Sequence, residues 1–331
     1  MSGLGPVVRL APAKVNLTLS IVGRRPDGFH ALHSIMAPLG LADRLSLAPA
    51  AGPADTLHVA GDDLDRAALG PPAGNLVLQA IAAARAAVGG ARPAPALAAR
   101  LEKRIPIAAG LAGGSSDAAA ALDGALEAWG AGGDAVLSQD ERLRVAARLG
   151  SDVPFFLAGE LAIVEGRGER VTPLPGAIRG EAPGILLVVP RIAVATAAVF
   201  AAYAARGAAI NGATRLTSEH LAGELQRGLS AQTLHDRAGI LASANDLFPA
   251  TAALEPAIVP FRRALARLTG RPVGMSGSGP TLWVLYPSLE AAQAAEVHVR
   301  GSIDDGVLVA PGNRPPFVVA STIVSRLAGQ P

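Results

Sequence analysis

The chain has no cysteine. Disulfides, thiolate nucleophiles and cysteine-ligated zinc or iron–sulfur centres are therefore excluded. Aromatic residues supply only 3% of its 331 residues, although 50% are hydrophobic. The core must then be built mainly from Ala, Leu, Val and Ile, and the mean hydropathy of +0.36 reflects those small aliphatics. Long apolar runs are missing too. The most membrane-like stretch, "IAVATAAVFAAYAA" (Ile192–Ala205), falls short of the roughly 20 residues a bilayer span requires, and it reads as a buried or half-buried helix. The N-terminal "MSGLGPVVRLAPAKVNL" is interrupted by Arg9 and Lys14 and lacks the apolar run of a signal peptide. A cytoplasmic protein without a membrane partner is the expectation. Neither charge dominates, with 29 Lys+Arg against 27 Asp+Glu. No basic block is interleaved with aromatics, so no nucleic-acid partner is expected.

What is present is a length suited to two domains and a mixture of strand and helix signals. Val7–Gly23 is rich in β-branched residues and alternates from Lys14 onward, with Asn16, Thr18 and Ser20 opposite Val15, Leu17, Leu19 and Ile21; that predicts a strand with one polar face. "RRPDGFH" follows, with strong turn chemistry in Pro26-Asp27-Gly28. Leu41–Leu47, Thr56–Val59 and Ala96–Lys103 read as strands, Ala48–Asp55 and Gly61–Gly74 as loops. Helices are predicted over Asn75–Val88, Ser115–Trp129, Gln139–Leu149 (with a Ser138/Glu141 capping box), Thr196–Ala205, Leu254–Leu268 and Leu289–Arg300. Gly184–Pro190, Val273–Met275, Thr281–Tyr286 and Phe317–Val324 read as further strands, and Gly207–Asp246 as polar with helical patches. Without strict βαβ alternation, the class is α+β.

Two glycine clusters interrupt these elements. In "IPIAAGLAGGSSDAAAAL" (Ile105–Leu122), Gly110, Gly113 and Gly114 allow a tight turn, and Ser115 and Ser116 stand where a helix begins. A helix N-terminus carries roughly half a positive charge and unpaired N–H groups, which suits a phosphate. The plainer reading is a capped helix after a flexible turn. The lysine of a G-x-x-x-x-G-K-[ST] phosphate loop is absent, and so is a dinucleotide fingerprint. "GMSGSGPTLWVL" (Gly274–Leu285) reads either as a tight hairpin or as a partner for the first cluster.

Three segments together, "APAKVNLTLSIVGRRPDGFH", "IPIAAGLAGGSSDAAAAL" and "MSGSGPTLWVL", resemble in order and spacing the signature regions of the GHMP kinase superfamily (galactose, homoserine, mevalonate and phosphomevalonate kinases). "LGSDVPFFL" (Leu149–Leu157) is similar to the family's catalytic aspartate segment. The likeness covers most of the chain and is weakest over Ala48–Gly74 and Gly207–Ala244. Within the superfamily, A-P-A-K-V-N-L followed by R-P-D-G-F-H resembles the branch that acts on 4-diphosphocytidyl-2-C-methyl-D-erythritol.

The resemblance implies an N-terminal ATP-binding domain like domain 2 of ribosomal protein S5 (residues 1–167). It implies a C-terminal ferredoxin-like α/β sandwich (168–331), with the last strand assignable to either. It implies ATP as phosphoryl donor with accompanying Mg2+, no other metal site, and a small-molecule substrate carrying cytidine diphosphate. Pro106, Ile107, Ala108, Ala109, Gly110, Leu111, Ala112, Gly113, Gly114, Ser115 and Ser116 would wrap the ATP phosphates. Lys103 and Asn75 would contact adenosine, though they also read as a surface charge and a helix cap. Lys14 would supply the missing cation, its plain alternative being a solvated lysine on a strand. Asp152 would accept the hydroxyl proton, or simply cap the helix at Val153-Pro154. Phe29 and Phe200 would sandwich the cytosine and His30 would hydrogen-bond it; stacking of this kind is worth about 1–3 kcal/mol. Asn16 would bind the erythritol hydroxyls and Thr196 the diphosphate or ribose. Phe29 is often tyrosine in the family, and Met36 stands where an aromatic is common. His33 and His58 receive no role. The alternatives are another kinase of the superfamily, of homoserine or mevalonate type, and a non-catalytic nucleotide-binding module.

Overall fold

A computed structural model describes residues 6–62, 69, 71, 74–90, 93–130, 137–207 and 212–326. Most of the loop expected over Gly61–Gly74 lies outside the described residues. The chain divides into two compact units: one holds Met1–Ala13, Leu41–Ile107 and Ala112–Ala158, the other Lys14–Gly40, Ala108–Leu111 and Gly159–Pro331. Two long strands, Val7–Arg24 and His30–Pro49, run through both.

In the first unit, Leu97–Glu102 pairs antiparallel with Arg44–Pro49 and parallel with Thr56–Ala60. The helices Leu76–Val88, Gly113–Ala128, Gln139–Leu149 and Val153–Ala158 complete it. The scarcity of aromatics has a direct structural counterpart here. Ser116–Leu122 is buried without interruption and mostly alanine, so the helix packs closely on its neighbours. A Cβ on Gly124 would come 2.8 Å from Leu47 Cδ1. The Ser138/Glu141 capping box forms as expected, and Gly150 ends that helix.

The second unit contains an antiparallel four-stranded sheet in the order Gly274–Met275, Leu282–Tyr286, Gly184–Val189, Phe317–Thr322. The last strand therefore pairs with Gly184–Val189. Helices Ile258–Thr269 and Leu289–Asp304 supply Ile258, Phe261, Leu265, Ala292 and Val299 to a core shared with Leu186, Val188, Leu282 and Val284. In the same unit Leu32–Met36 pairs antiparallel with Ala162–Gly166, which pairs with Arg170–Pro173.

Several elements depart from the sequence reading, each for a physical reason. The second strand starts at His30, not Leu41, because Ser34–Leu39 is buried on both faces, which erases the alternation that marks a strand. The helix expected at Leu254–Leu268 starts only at Ile258, as Ile258–Thr269, and a separate helix, Phe248–Leu254, precedes it. Pro256 disfavours helical backbone at Glu255, which has φ −127° and ψ 74°. Thr196–Ala205 is helical as expected, but only Val199 and Tyr203 are buried. Among the described residues no helix is long and apolar enough to cross a membrane.

Candidate functional site

The glycine loop delivers a helix start without a side-chain cap. The helix begins at Gly113, two residues before the expected Ser115, and its N-cap, Ala112, sits at φ 55° and makes no side-chain cap bond. Ala108 has φ 57° and Gly110 φ 78°. Left-handed alanines cost roughly 1 kcal/mol each, so the loop holds a shape its residues do not prefer. Successive backbone N–H groups in alternating right- and left-handed residues form a concavity suited to anions, and the first turn of a helix leaves its N–H groups unpaired. The Ser116 hydroxyl is buried with no hydrogen-bond partner. These features fit a phosphate cradle.

Within the second unit, Lys14 reaches this loop from the first strand. Its Nζ donates to Asn16 Oδ1 at 2.8 Å and to the Gly110 carbonyl at 3.2 Å, and its own backbone N–H donates to the Leu111 carbonyl. The ammonium is buried, not the solvated charge that the strand pattern allowed. The second glycine cluster is both a hairpin and a partner for the first. Gly274–Met275 pairs with Leu282–Trp283, while Thr281 Oγ1 donates to the Ala109 carbonyl and Ser276 Oγ to the Gly110 carbonyl. A Cβ on Gly110 would lie 2.7 Å from the Gly279 carbonyl oxygen and 3.0 Å from that of Ser276. Only glycine fits there. Ser276 and Thr281 were not singled out from sequence; the run of small polar residues between two apolar strands was the available signal.

Within the first unit, the remaining expected residues take other positions. Lys103 Nζ is buried between two carboxylates, Asp43 Oδ2 and, at 2.7 Å, Asp117 Oδ2. Asp43 Oδ1 also accepts from the Ile105 N–H at 2.8 Å. The surface charge read at Lys103 is thus an internal ion cluster, and a Cβ on Gly113 would come 3.2 Å from its Nζ. Burial pushes the Asp117 carboxyl up to about 7 against the opposing charge of Lys103. Sequence reasoning missed Asp43 and Asp117. Asn75 caps its helix, accepting from the Val77 N–H at 2.9 Å. Asp152 is half-buried immediately before Val153–Ala158, and a Cβ on the nearby Gly150 would lie 3.9 Å from Ser115 Oγ. The segment that holds Asp152 therefore begins beside Ser115.

Of the residues expected at the cytosine, His30 and Phe200 are in contact. His30 stacks on Phe200, with centroids 5.6 Å apart and planes 28° from parallel, and meets the edge of Tyr203 at 5.6 Å. Phe29 is 54% exposed, under the Arg167 guanidinium. Burial, helped by the charge of Arg24, holds the His30 imidazole below its ordinary pKa, so the ring is neutral at pH 7. Thr196 Oγ1 shares a hydrogen bond with Ser278 Oγ at 3.0 Å. His33, without a role from sequence, bonds Ser218 Oγ through Nδ1 at 2.8 Å.

Comparison with known proteins gives these positions a context. Residues 75–160 match the GHMP kinases N terminal domain and residues 224–302 the GHMP kinases C terminal domain. The chain is 37% identical over 306 residues to a 4-diphosphocytidyl-2-C-methyl-D-erythritol kinase of Pelotomaculum thermopropionicum, covering 92% of this chain and 96% of the relative. It is 43% identical over 292 residues to one of Xanthobacter autotrophicus, covering 85% and 90%. A crystal structure of 4-(cytidine 5'-diphospho)-2C-methyl-D-erythritol kinase superposes with a TM-score of 0.64 at 29% identity, over 95% of this chain and 99% of that one. A homoserine kinase from Cytophaga hutchinsonii reaches 0.67 at only 19% identity, over 98% and 97%. The backbone is thus common to kinases of different acceptors, and sequence identity separates them. On that ground the chain belongs to the 4-diphosphocytidyl-2-C-methyl-D-erythritol kinase family of GHMP kinases.

Proposed function

We propose that this chain transfers the γ-phosphoryl group of ATP to the 2-hydroxyl of 4-diphosphocytidyl-2-C-methyl-D-erythritol, giving the 2-phosphate and ADP for isoprenoid biosynthesis in the cytoplasm. The observation that carries this reading is the 37% identity sustained over 92% of the chain with a relative of that name. The domain division at residue 167 belongs to the same proposal.

Phosphoryl transfer demands little covalent chemistry of the protein beyond positioning and charge stabilisation. Pro106–Ser116 receives the phosphates on backbone N–H groups and the helix N-terminus. Lys14 replaces the absent loop lysine, supplying a compact cation to the transferring group. Asp152 takes the proton of the 2-hydroxyl as that oxygen bonds to the γ-phosphorus and the bond to the bridging oxygen of ADP breaks. Magnesium, when bound with ATP, neutralises phosphate charge. Among the described residues no group of three or more His, Asp or Glu could hold a metal ion. On the acceptor side, His30 and Phe200 provide the cytosine site. Phe29 and Phe200 offer the faces and His30 the hydrogen bond for the base, from a starting arrangement in which His30 stacks on Phe200 and Phe29 is exposed. Thr196 serves the diphosphate or ribose, and Asn16 the erythritol end. Lys103 and Asn75 serve the adenosine side through backbone and shape, since the Lys103 ammonium is engaged by two carboxylates.

A coupled assay of ADP release tests the reading with four alcohols: the cytidine-tagged methylerythritol, untagged methylerythritol, homoserine and mevalonate. Turnover confined to the tagged substrate is expected. Phosphorylation of homoserine or mevalonate with the tagged alcohol inert would overturn it.

A further inference from the structure

We propose that Ser34 is a positioning residue for the reaction, acting through Asn16 to fix the Lys14 ammonium. The inference rests on the role given to Lys14 above, and its geometry lies wholly within the second unit. Ser34 Oγ donates its single proton to the Thr18 carbonyl at 2.6 Å. Its lone pairs are then what it offers to Asn16, and the Asn16 Nδ2 group donates to it at 2.8 Å. An amide side chain has a donor end and an acceptor end. With Nδ2 turned to Ser34, Oδ1 must face Lys14, and it accepts from Nζ at 2.8 Å. The hydrogen bonds run in one direction, from ammonium to amide to hydroxyl to main chain. Reversal of the amide would put an NH2 group against the ammonium, donor to donor.

Burial makes this orientation consequential. Lys14, Asn16, Thr18 and Ser34 are all at most 4% exposed, so solvent does not compensate for a misdirected amide. The backbone of Asn16 is held separately, its N–H donating to Ser276 Oγ, which itself donates to the Gly110 carbonyl. Loss of Ser34 would leave that backbone framework in place and release only the amide. The Thr18 side chain takes a different route: its hydroxyl pairs with Ser218 Oγ at 2.6 Å, and Ser218 with His33. Ser218 thus offers a control buried in the same unit but outside the chain to Lys14.

The test measures kcat and both KM values for Ser34→Ala, Ser34→Thr and Ser218→Ala, with melting temperatures alongside, and repeats Ser34→Ala in a Lys14→Ala background under single-turnover conditions. Ser34→Ala is expected to lower kcat about 10-fold, the effect of one misplaced charged hydrogen bond, with the KM for ATP within about twofold and the acceptor KM rising alongside, because the released Asn16 amide also serves the erythritol end. Ser34→Thr restores the hydroxyl and most of kcat. Ser218→Ala lowers the melting temperature without touching kcat. In the Lys14→Ala background the Ser34 substitution adds nothing. A wild-type kcat in Ser34→Ala, or an undiminished effect without Lys14, would overturn the inference while leaving the kinase reading intact. Full turnover in Lys14→Ala alone would instead remove the role on which it rests. Should Ser34→Ala not fold, Ser34→Cys supplies the same comparison with a weaker acceptor.

Discussion

Replacing Asp117 by asparagine perturbs the ion cluster under the glycine loop without changing its shape. Asp117 is almost fully enclosed, one oxygen bound to Lys103 and the other, Oδ1, without a partner. Burial raises the carboxyl from 3.8 to about 7. A carboxyl that binds its proton more tightly when folded contributes stability at low pH and loses it as pH rises through the folded value. Between pH 5 and 7 the unfolded chain has already ionised this group, while the folded chain gives up its proton only near the top of that range. The wild type should then lose about 1.4 kcal/mol per pH unit relative to Asp117→Asn, levelling off above pH 7. By pH 8 the accumulated difference is about 2–3 kcal/mol. Other titrating groups are common to both proteins and cancel, and Lys103, itself held above its ordinary value, titrates outside this window. Urea denaturation at pH 5, 6, 7 and 8 reads the two stabilities. A difference between the proteins that stays flat across the four pH values would refute the argument, because Asp117 would then be ionised throughout or never.

Three further outcomes follow from the same geometry. Lys103→Met strands two buried carboxylates and is expected to cost about 3–5 kcal/mol of stability at pH 8, seen as a lower denaturation midpoint; a variant that keeps its stability and loses only ATP affinity would mean the ammonium itself binds the nucleotide. Lys14→Ala and Asp152→Asn should each reduce kcat by at least about 100-fold while ATP affinity, measured by calorimetry, changes only a few-fold. Because His30 sits below the ordinary imidazole range, the KM for the cytidine substrate should be flat above pH 7 and rise only on acidification below about 6.5; a KM that responds between pH 7 and 8 would contradict a neutral ring.

The candidate residues were legible in the sequence to different degrees. Gly110–Ser116 announces a tight turn into a helix start through local composition, whereas the left-handed Ala108 and Ala112 leave no such signal. Asn75 and the Ser138/Glu141 box are equally local, and they cap their helices as their residue types require. The long second strand was read short because burial on both faces removes periodicity, and the Pro256 break was overridden by an apolar pattern continuing on either side. Lys103 is the sharper lesson: a lysine at a strand end looks solvated until Asp43 and Asp117, 60 and 14 positions away, close around it.

Taken alone, the sequence determined the α+β class, the absence of thiol chemistry, the glycine turn into a helix and, by its motifs, the family. These depend on short-range backbone preference and composition, which neighbouring residues settle among themselves. Only the tertiary structure decided that Ser276 and Thr281 bond the loop carbonyls, that the Lys14 ammonium donates to the Asn16 amide, and that His30 stacks on Phe200. Those facts depend on which distant groups share a low-dielectric interior, where each buried donor must find an acceptor, and chain order does not encode that pairing.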